Sequence, residues 1–129
     1  MKILLDTQCW LWMITNPDRL SPHAQRLLTD GDNTLWLSVA SVWEIAIKHG
    51  LGKLRLPTSP TVYVPAQLAA TRVASMVIQP EHALRVGELP PHHRDPFDRL
   101  VIAQAQLERM PIMTADPRFH EYDVDVLAA

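Results

Sequence analysis

The chain has 129 residues, of which 47% are hydrophobic and 20% are charged, and it contains four glycines and eleven prolines. This composition excludes a disordered or collagen-like chain and predicts a single folded domain over residues 1–129. The one cysteine, Cys9, excludes an internal disulfide and a cysteine-based zinc site, and the formal net charge of −2 counts weakly against a nucleic-acid binder.

The N-terminal part of the chain predicts one strand and two helices. Residues 3–5 form an apolar run that ends at Asp6, which is consistent with a buried strand. Residues 9–14 are interpreted as a helix, and a second helix begins at Ser21-Pro22, an N-cap followed by a first-turn proline. Charge interrupts the N-terminus too early for a signal peptide, and no apolar run reaches the roughly 18 residues of a membrane span. We therefore expect a cytoplasmic protein without a membrane role.

The middle of the chain continues this alternation of strands and helices. Residues 35–39 predict a second strand. Ser41 and Glu44 have the spacing of a capping box, which predicts that a helix begins there and runs to about residue 50. Another helix begins at Ser59, and residues 76–78 predict a short buried strand.

The C-terminal part predicts two further strands and three helical segments. Asp95 is an N-cap candidate because proline follows it at the first helical position. The predicted helical segments are 80–86, 96–109 and 117–122, and the predicted strands are 112–114 and 124–127. Strands separated by helices pair in parallel through right-handed crossovers. The predicted fold is therefore an α/β three-layer sandwich with a mostly parallel sheet of about five strands.

Four acidic residues map to one edge of this predicted sheet, where the strands end and the following helices begin. Ligands bind at that edge in open α/β sheets. The four acids are Asp6 at the end of the first strand, Glu44 and Asp98 in the first turns of two helices, and Asp116 after the strand at 112–114. Apolar residues three, four and seven positions after Asp98 indicate that its side chain faces inward.

Several carboxylates at one place predict a metal site. Neighbouring carboxylates repel one another and raise each other's pKa unless a divalent cation lies among them. Oxygen donors without histidine or cysteine favour Mg²⁺ or Mn²⁺. Each acid also has a structural interpretation as a helix cap or first-turn charge, and Glu44 can pair with Lys48 one turn later. The convergence of all four acids favours the shared metal site.

Other polar and aromatic residues suggest weaker hypotheses. His92 and His93 are interpreted as a solvated loop, because adjacent histidines do not converge on one ion. Lys48, Arg94 and Arg99 are candidates for contacting phosphate groups, although scattered basic residues are most often a solvated surface. The four tryptophans are interpreted as core packing, with an exposed one at an oligomer face: Trp10, Trp12, Trp36 and Trp43.

Five blocks of the chain resemble the PIN-domain family, and within it the toxin ribonucleases of VapBC toxin–antitoxin pairs. The blocks are residues 4–7, 38–48, 51–54, 93–105 and 114–116. The family's acidic residues match the four acids named above. Asp95 belongs to a matching block but ranks below them, because helix capping explains it. Thr114 matches the family's hydroxyl residue, and the resemblance implies that it orients a metal-bound water.

The resemblance implies a metal-dependent endoribonuclease that uses Mg²⁺ or Mn²⁺. It also implies a homodimer and inhibition by a small VapB-like antitoxin whose tail enters the acidic site. Hydrolysis by metal-activated water would leave a 5′-phosphate and a 3′-hydroxyl.

Two alternatives remain open from the sequence. A phospho-accepting receiver domain also gathers acids at this edge, but it needs paired acids after the first strand and a lysine after the last. Here Thr7-Gln8 follows Asp6, and no lysine follows Lys53. A non-catalytic binding domain of the same fold is the second alternative, and the intact acids count against it.

Overall fold

The computed structural model describes all of residues 1–129 and contains one sheet of five strands. The strands are β1 (Lys2–Leu5), β2 (Thr34–Ser38), β3 (Val73–Met76), β4 (Ile112–Thr114) and β5 (Val126–Ala128). They lie in the order β3-β2-β1-β4-β5, and every neighbouring pair is parallel. The predicted α/β sandwich is confirmed.

Six α-helices cover the two faces of the sheet. They are α1 (Thr7–Thr15), α2 (Pro22–Thr29), α3 (Val39–Gly50), α4 (Pro60–Thr71), α5 (Pro80–Val86) and α6 (Pro96–Glu108). Alternation along β1 sends Ile3 and Leu5 into a core with α1, α2, α3 and α4. Leu4 points to the opposite core, which contains the apolar stripe of α6. None of the helices has the length and apolar composition that crossing a bilayer requires.

Strand order excludes the receiver alternative. Receiver domains have flavodoxin-like sheets, in which the strand order is 2-1-3-4-5. Here β1 lies at the centre, β2 and β3 lie on one side of it, and β4 and β5 on the other. The direction of winding therefore reverses between β1 and β4, and the crevice at the ends of these two strands is where a ligand site is expected.

Several predicted boundaries are wrong, including the start of β5, which lies at Val126 and not at residue 124. The strand predicted at 76–78 is β3 at Val73–Met76, because Arg72 ends α4 in the left-handed conformation and Val73 at once pairs with Leu35. The capping box at Ser41 is also wrong, since α3 begins at Val39. The side chain of Ser38, the last residue of β2, caps α3 by accepting a hydrogen bond from the amide of Ala40.

Candidate active site

Asp6 and Asp116, the first and last of the four acids in the sequence, lie where β1 and β4 end. Leu5 is in register with Met113, so Asp6 and Thr114 are the next residues on two adjacent strands. The hydroxyl of Thr114 donates to Oδ2 of Asp6 at 2.8 Å and accepts from the amide of Asp116 at 3.0 Å. Thr114 therefore joins the two acids directly. Its implied role in orienting a metal-bound water stays a prediction.

The structure brings all four predicted acids to one cavity of about 480 Å³. Asp95 and the basic side chains of Lys48, Lys53 and Arg118 also line this acidic cavity. The acids come from four different places: the end of β1, α3, the start of α6 and the end of β4. Parallel topology is the reason, since it places the ends of all strands at the same edge.

Burial and mutual repulsion act on two of these carboxylates. Burial raises the pKa of Asp6 to about 6, although the hydrogen bond from Thr114 opposes the increase. Burial also raises the pKa of Asp98 to about 8, and repulsion from the neighbouring carboxylates, Asp6 first, adds to the increase. Negative charge at this edge is therefore costly unless a cation compensates it.

Glu44 supplies a direct test of whether a cation fits the cavity. Its side chain is buried, and Oε2 accepts a hydrogen bond from Lys48, which raises the pKa of that lysine. The other oxygen, Oε1, is buried and has no hydrogen-bond partner. A buried carboxylate oxygen without a partner is unfavourable. The donor set, made of carboxylate oxygens with one oxygen unpartnered, fits a hard divalent ion.

The position of Glu44 on its helix differs from the prediction. Because α3 begins at Val39, Glu44 lies in the second turn and not in the first. The expected capping partner, Ser41, is buried and accepts a hydrogen bond from the hydroxyl of Thr7 at 2.7 Å. That bond joins α3 to α1 next to the acidic cavity. The capping role predicted for Ser41 is therefore replaced by a contact between two helices.

Asp95 caps α6, as predicted. Its Oδ1 accepts hydrogen bonds from the amides of Phe97 at 2.8 Å and Asp98 at 3.2 Å. The side chain also lines the acidic cavity. The cap fixes the first turn of α6 and with it the position of Asp98.

Arg118 forms a pair with Asp116 that the sequence did not suggest. Its Nε and Nη2 donate to the two carboxylate oxygens at 3.1 and 3.0 Å. Burial alone would raise the pKa of Asp116, but hydrogen bonds with Arg118 outweigh burial and lower it. Asp116 also caps a 3₁₀ turn (Pro117–Glu121) through the amide of Arg118.

His93 corrects the prediction of a solvated histidine loop. Its side chain is only 2% exposed, and Nε2 lies 2.9 Å from Oδ2 of Asp98 and 3.2 Å from Oδ2 of Asp116. The amide of His93 donates to the hydroxyl of Tyr122 at 2.7 Å. His92 is exposed, as predicted for both histidines. The only available signal was proximity in sequence to Asp95 and Asp98.

The two candidate phosphate-contacting arginines lie outside the acidic cavity. Arg94 is exposed and is not among the residues that line the cavity. Arg99 holds the loop before α6, because its guanidinium donates to the carbonyls of Val86, Leu89, Pro90 and His93. Lys48 is the one basic candidate that lines the cavity.

The tryptophans divide as predicted between core and surface. Trp10 is fully buried, whereas Trp43 is 56% exposed and contacts the ring of Phe97 edge-on at a centroid distance of 5.0 Å. Trp12 and Trp36 are partly buried against the two cores.

The domain has an α/β sheet with four acids at the point where the direction of winding reverses. Comparison with known families identifies the class of domain to which these features belong. The family model for the PIN domain matches residues 3–125. The chain therefore belongs to the PIN domain family.

Individual relatives agree with this assignment. Ribonuclease VapC16 from Mycobacterium tuberculosis (strain H37Rv) is 36% identical over 60 residues, which cover 46% of this chain and 43% of that protein. The match thus spans less than half of the relative's length.

Two solved structures share the fold. One is VapBC2 from Rickettsia felis bound to a DNA fragment from its promoter. The match has a TM-score of 0.74 at 17% identity and covers 98% of both chains. DNA-bound VapBC from Salmonella typhimurium has a TM-score of 0.72 at 17% identity, covering 98% of this chain and 97% of the other. At these identities the likeness concerns the fold alone.

Proposed function

We propose that this chain is a divalent-metal-dependent endoribonuclease and the toxin of a VapBC-type toxin–antitoxin pair. The observation that carries the proposal is the convergence of Asp6, Glu44, Asp98 and Asp116 on one cavity in a PIN domain. The match to a protein named a ribonuclease supports the reaction class. A non-catalytic domain would not need to keep these carboxylates together at the energetic cost of burying them.

The residues that would hold Mg²⁺ or Mn²⁺ are the same four acids, with the free Oε1 of Glu44 as one ligand atom. A divalent ion supplies charge neutralisation for the scissile phosphodiester and lowers the pKa of attacking water.

The protein's own side chains prepare this site. Thr114 holds one oxygen of Asp6 in place. Lys48 holds one oxygen of Glu44 and also lines the cavity with Lys53. Positive charge at the wall of an acidic site attracts the phosphates of RNA, and positioning by fixed groups lowers the entropic barrier to hydrolysis.

A VapB-like antitoxin is the proposed partner. The Rickettsia felis and Salmonella typhimurium structures with the same fold are VapBC complexes. A basic segment of such an antitoxin would complement the acidic cavity and block RNA access to it. We include a homodimer in the proposal, with the exposed ring of Trp43 as a candidate contact.

The test is RNA cleavage by the purified chain with Mg²⁺ or Mn²⁺. We expect cleavage that stops in EDTA and products with 5′-phosphate and 3′-hydroxyl ends. Asp6→Asn and Asp98→Asn should abolish cleavage and keep the circular dichroism spectrum of the parent chain. Undiminished cleavage by both variants, or in EDTA, would remove these residues or the metal from the mechanism.

RNA sequencing after brief expression in cells identifies the target.

A chain that never cleaves RNA under any of these conditions, while binding a basic antitoxin peptide, would instead support the non-catalytic binding domain.

A further inference from the structure

His93 is the one buried side chain that contacts two of the proposed metal-binding carboxylates at once. Its Nε2 forms a hydrogen bond with Oδ2 of Asp116 at 3.2 Å, and Oδ2 of Asp98 lies 2.9 Å from the same nitrogen without the geometry of a hydrogen bond. These three side chains have ligand atoms within 4.8 Å of one another, so by distance alone His93 could itself be a metal ligand.

The other ring nitrogen decides between these two roles. Nδ1 accepts a hydrogen bond from the backbone amide of Asp95 at 3.1 Å. A backbone N–H can only donate, so Nδ1 carries the lone pair, and the hydrogen of the neutral ring lies on Nε2. A nitrogen that carries a hydrogen donates to carboxylates and has no lone pair for a metal.

The backbone of His93 and its ring make further contacts. The amide of His93 donates to the hydroxyl of Tyr122, its carbonyl accepts from Arg99, and its ring meets the edge of Phe119 at a centroid distance of 5.9 Å. A ring fixed in this way can fix the groups that it touches.

We infer that His93 is a positioning residue, which donates its Nε2–H to Asp116 and packs against the carboxylate of Asp98, and that it is not a ligand of the metal. The inference rests on the proposed function, because it concerns the same metal site. Its consequence is that the ion is held by oxygen atoms alone, with one oxygen of each of these two acids directed to His93. Hydrogen-bonding partners of metal ligands change metal affinity by about 10- to 100-fold when they are removed.

Two substitutions separate the two nitrogens of His93. In His93→Asn, the side-chain oxygen can replace Nδ1 as the acceptor for the amide of Asp95, but the donor at the Nε2 position is lost. In His93→Gln, the terminal amide can reach the Nε2 position as a donor, but the acceptor near the backbone is lost. His82→Asn is the matched control, since His82 is also buried and accepts a backbone hydrogen bond at Nδ1.

The measurement is Mn²⁺ binding to the full chain by calorimetry, with circular dichroism as a check of folding. We expect His93→Asn to weaken binding by about 10- to 100-fold. His93→Gln should restore most of that loss, and His82→Asn should bind like the parent chain. Equal affinity in all four proteins would overturn the role of His93 but leave the proposed function intact. Equal losses in the Asn and Gln variants would overturn the donor role.

Failure of the parent chain to bind Mn²⁺ is a different result, since it would overturn the metal site of the proposed function and this inference with it.

Nitrogen-15 NMR of the histidine rings tests the same inference in the parent chain and does not depend on any variant folding. We expect His93 to show a hydrogen on Nε2 and none on Nδ1, both before and after Mg²⁺ is added. Loss of the Nε2 hydrogen on adding Mg²⁺ would make His93 a ligand and overturn the inference.

Discussion

Two buried histidines of this chain make the same local contacts in different surroundings. His93 lies behind Asp98 and Asp116, two of the acids that line the acidic cavity. His82 lies at the start of α5 with Glu81 and Glu108, which we call the His82 cluster. Each ring accepts a backbone hydrogen bond at Nδ1, from Asp95 in one case and from Gln79 in the other. Each ring then presents Nε2 to carboxylate oxygen.

The difference lies in the carboxylates. Glu108, the partner of His82 at Nε2, is 42% exposed, so water solvates its charge, and His82 caps α5 through its other nitrogen, Nδ1. Asp98 and Asp116 are 15% and 19% exposed and lie beside other acids. A histidine–carboxylate contact therefore indicates function only when the carboxylates are crowded and poorly solvated.

Replacing one carboxylate in the acidic cavity and one in the His82 cluster should give the largest difference in RNA cleavage. We expect Glu44→Gln to reduce RNA cleavage by at least about 100-fold, because metal-held sites supply several kcal/mol of transition-state stabilisation. Glu108→Gln should leave cleavage unchanged. Initial rates on one RNA substrate measure both effects, and equal rates for the two variants would contradict the assignment of function to the acidic cavity.

Metal should stabilise the chain through the acidic cavity and not through the His82 cluster. At a Mn²⁺ concentration one hundred times the dissociation constant, the free energy of unfolding should increase by about 2.7 kcal/mol. Urea denaturation with and without Mn²⁺ measures the increase. The increase should persist in Glu108→Gln and disappear in Asp98→Asn, and the opposite pattern would move the metal site to the His82 cluster.

In the absence of metal, the buried acids of the acidic cavity should make the free energy of unfolding depend on pH. Acids whose pKa is raised by folding bind protons more tightly in the folded chain, so they lower stability as pH rises from their unfolded pKa to their folded pKa. For Asp6 and Asp98 that interval runs from about pH 4 to about pH 8.

Between these limits the metal-free chain should lose several kcal/mol of stability relative to Asp98→Asn, since each unit of pKa difference corresponds to about 1.4 kcal/mol. Denaturation in EDTA at several pH values measures the difference. Parallel curves for the two proteins would show that burial does not perturb Asp98.

The smallest effect is expected at the His82 cluster. His82→Gln removes the acceptor for the amide of Gln79 and should reduce the free energy of unfolding by about 1 kcal/mol. His82→Asn can keep an acceptor at the Nδ1 position and should be less destabilising. Thermal unfolding of both variants measures this, and the reverse order would mean that the cap is not what His82 contributes.

Much of the fold follows from local patterns in the sequence. The apolar runs at 3–5 and 112–114 form the strands β1 and β4, and the predicted bounds of the second run are those of β4. Ser21 and Asp95 cap helices as their following prolines predict. The boundaries at β3 and α3 could not be predicted in this way, because pairing with β2 and the cap by Ser38 depend on the neighbouring elements.

The sequence by itself determined the alternation of strands and helices and therefore the edge at which four acids meet. The periodicity of the hydrophobic residues and the helix caps are local features of the sequence, and the alternation that they produce implies parallel topology. Only the tertiary structure decided that His93 is buried against two carboxylates, that Arg118 pairs with Asp116 and that one oxygen of Glu44 has no partner. The reason is that solvation and hydrogen bonding of a side chain depend on which distant residues pack around it.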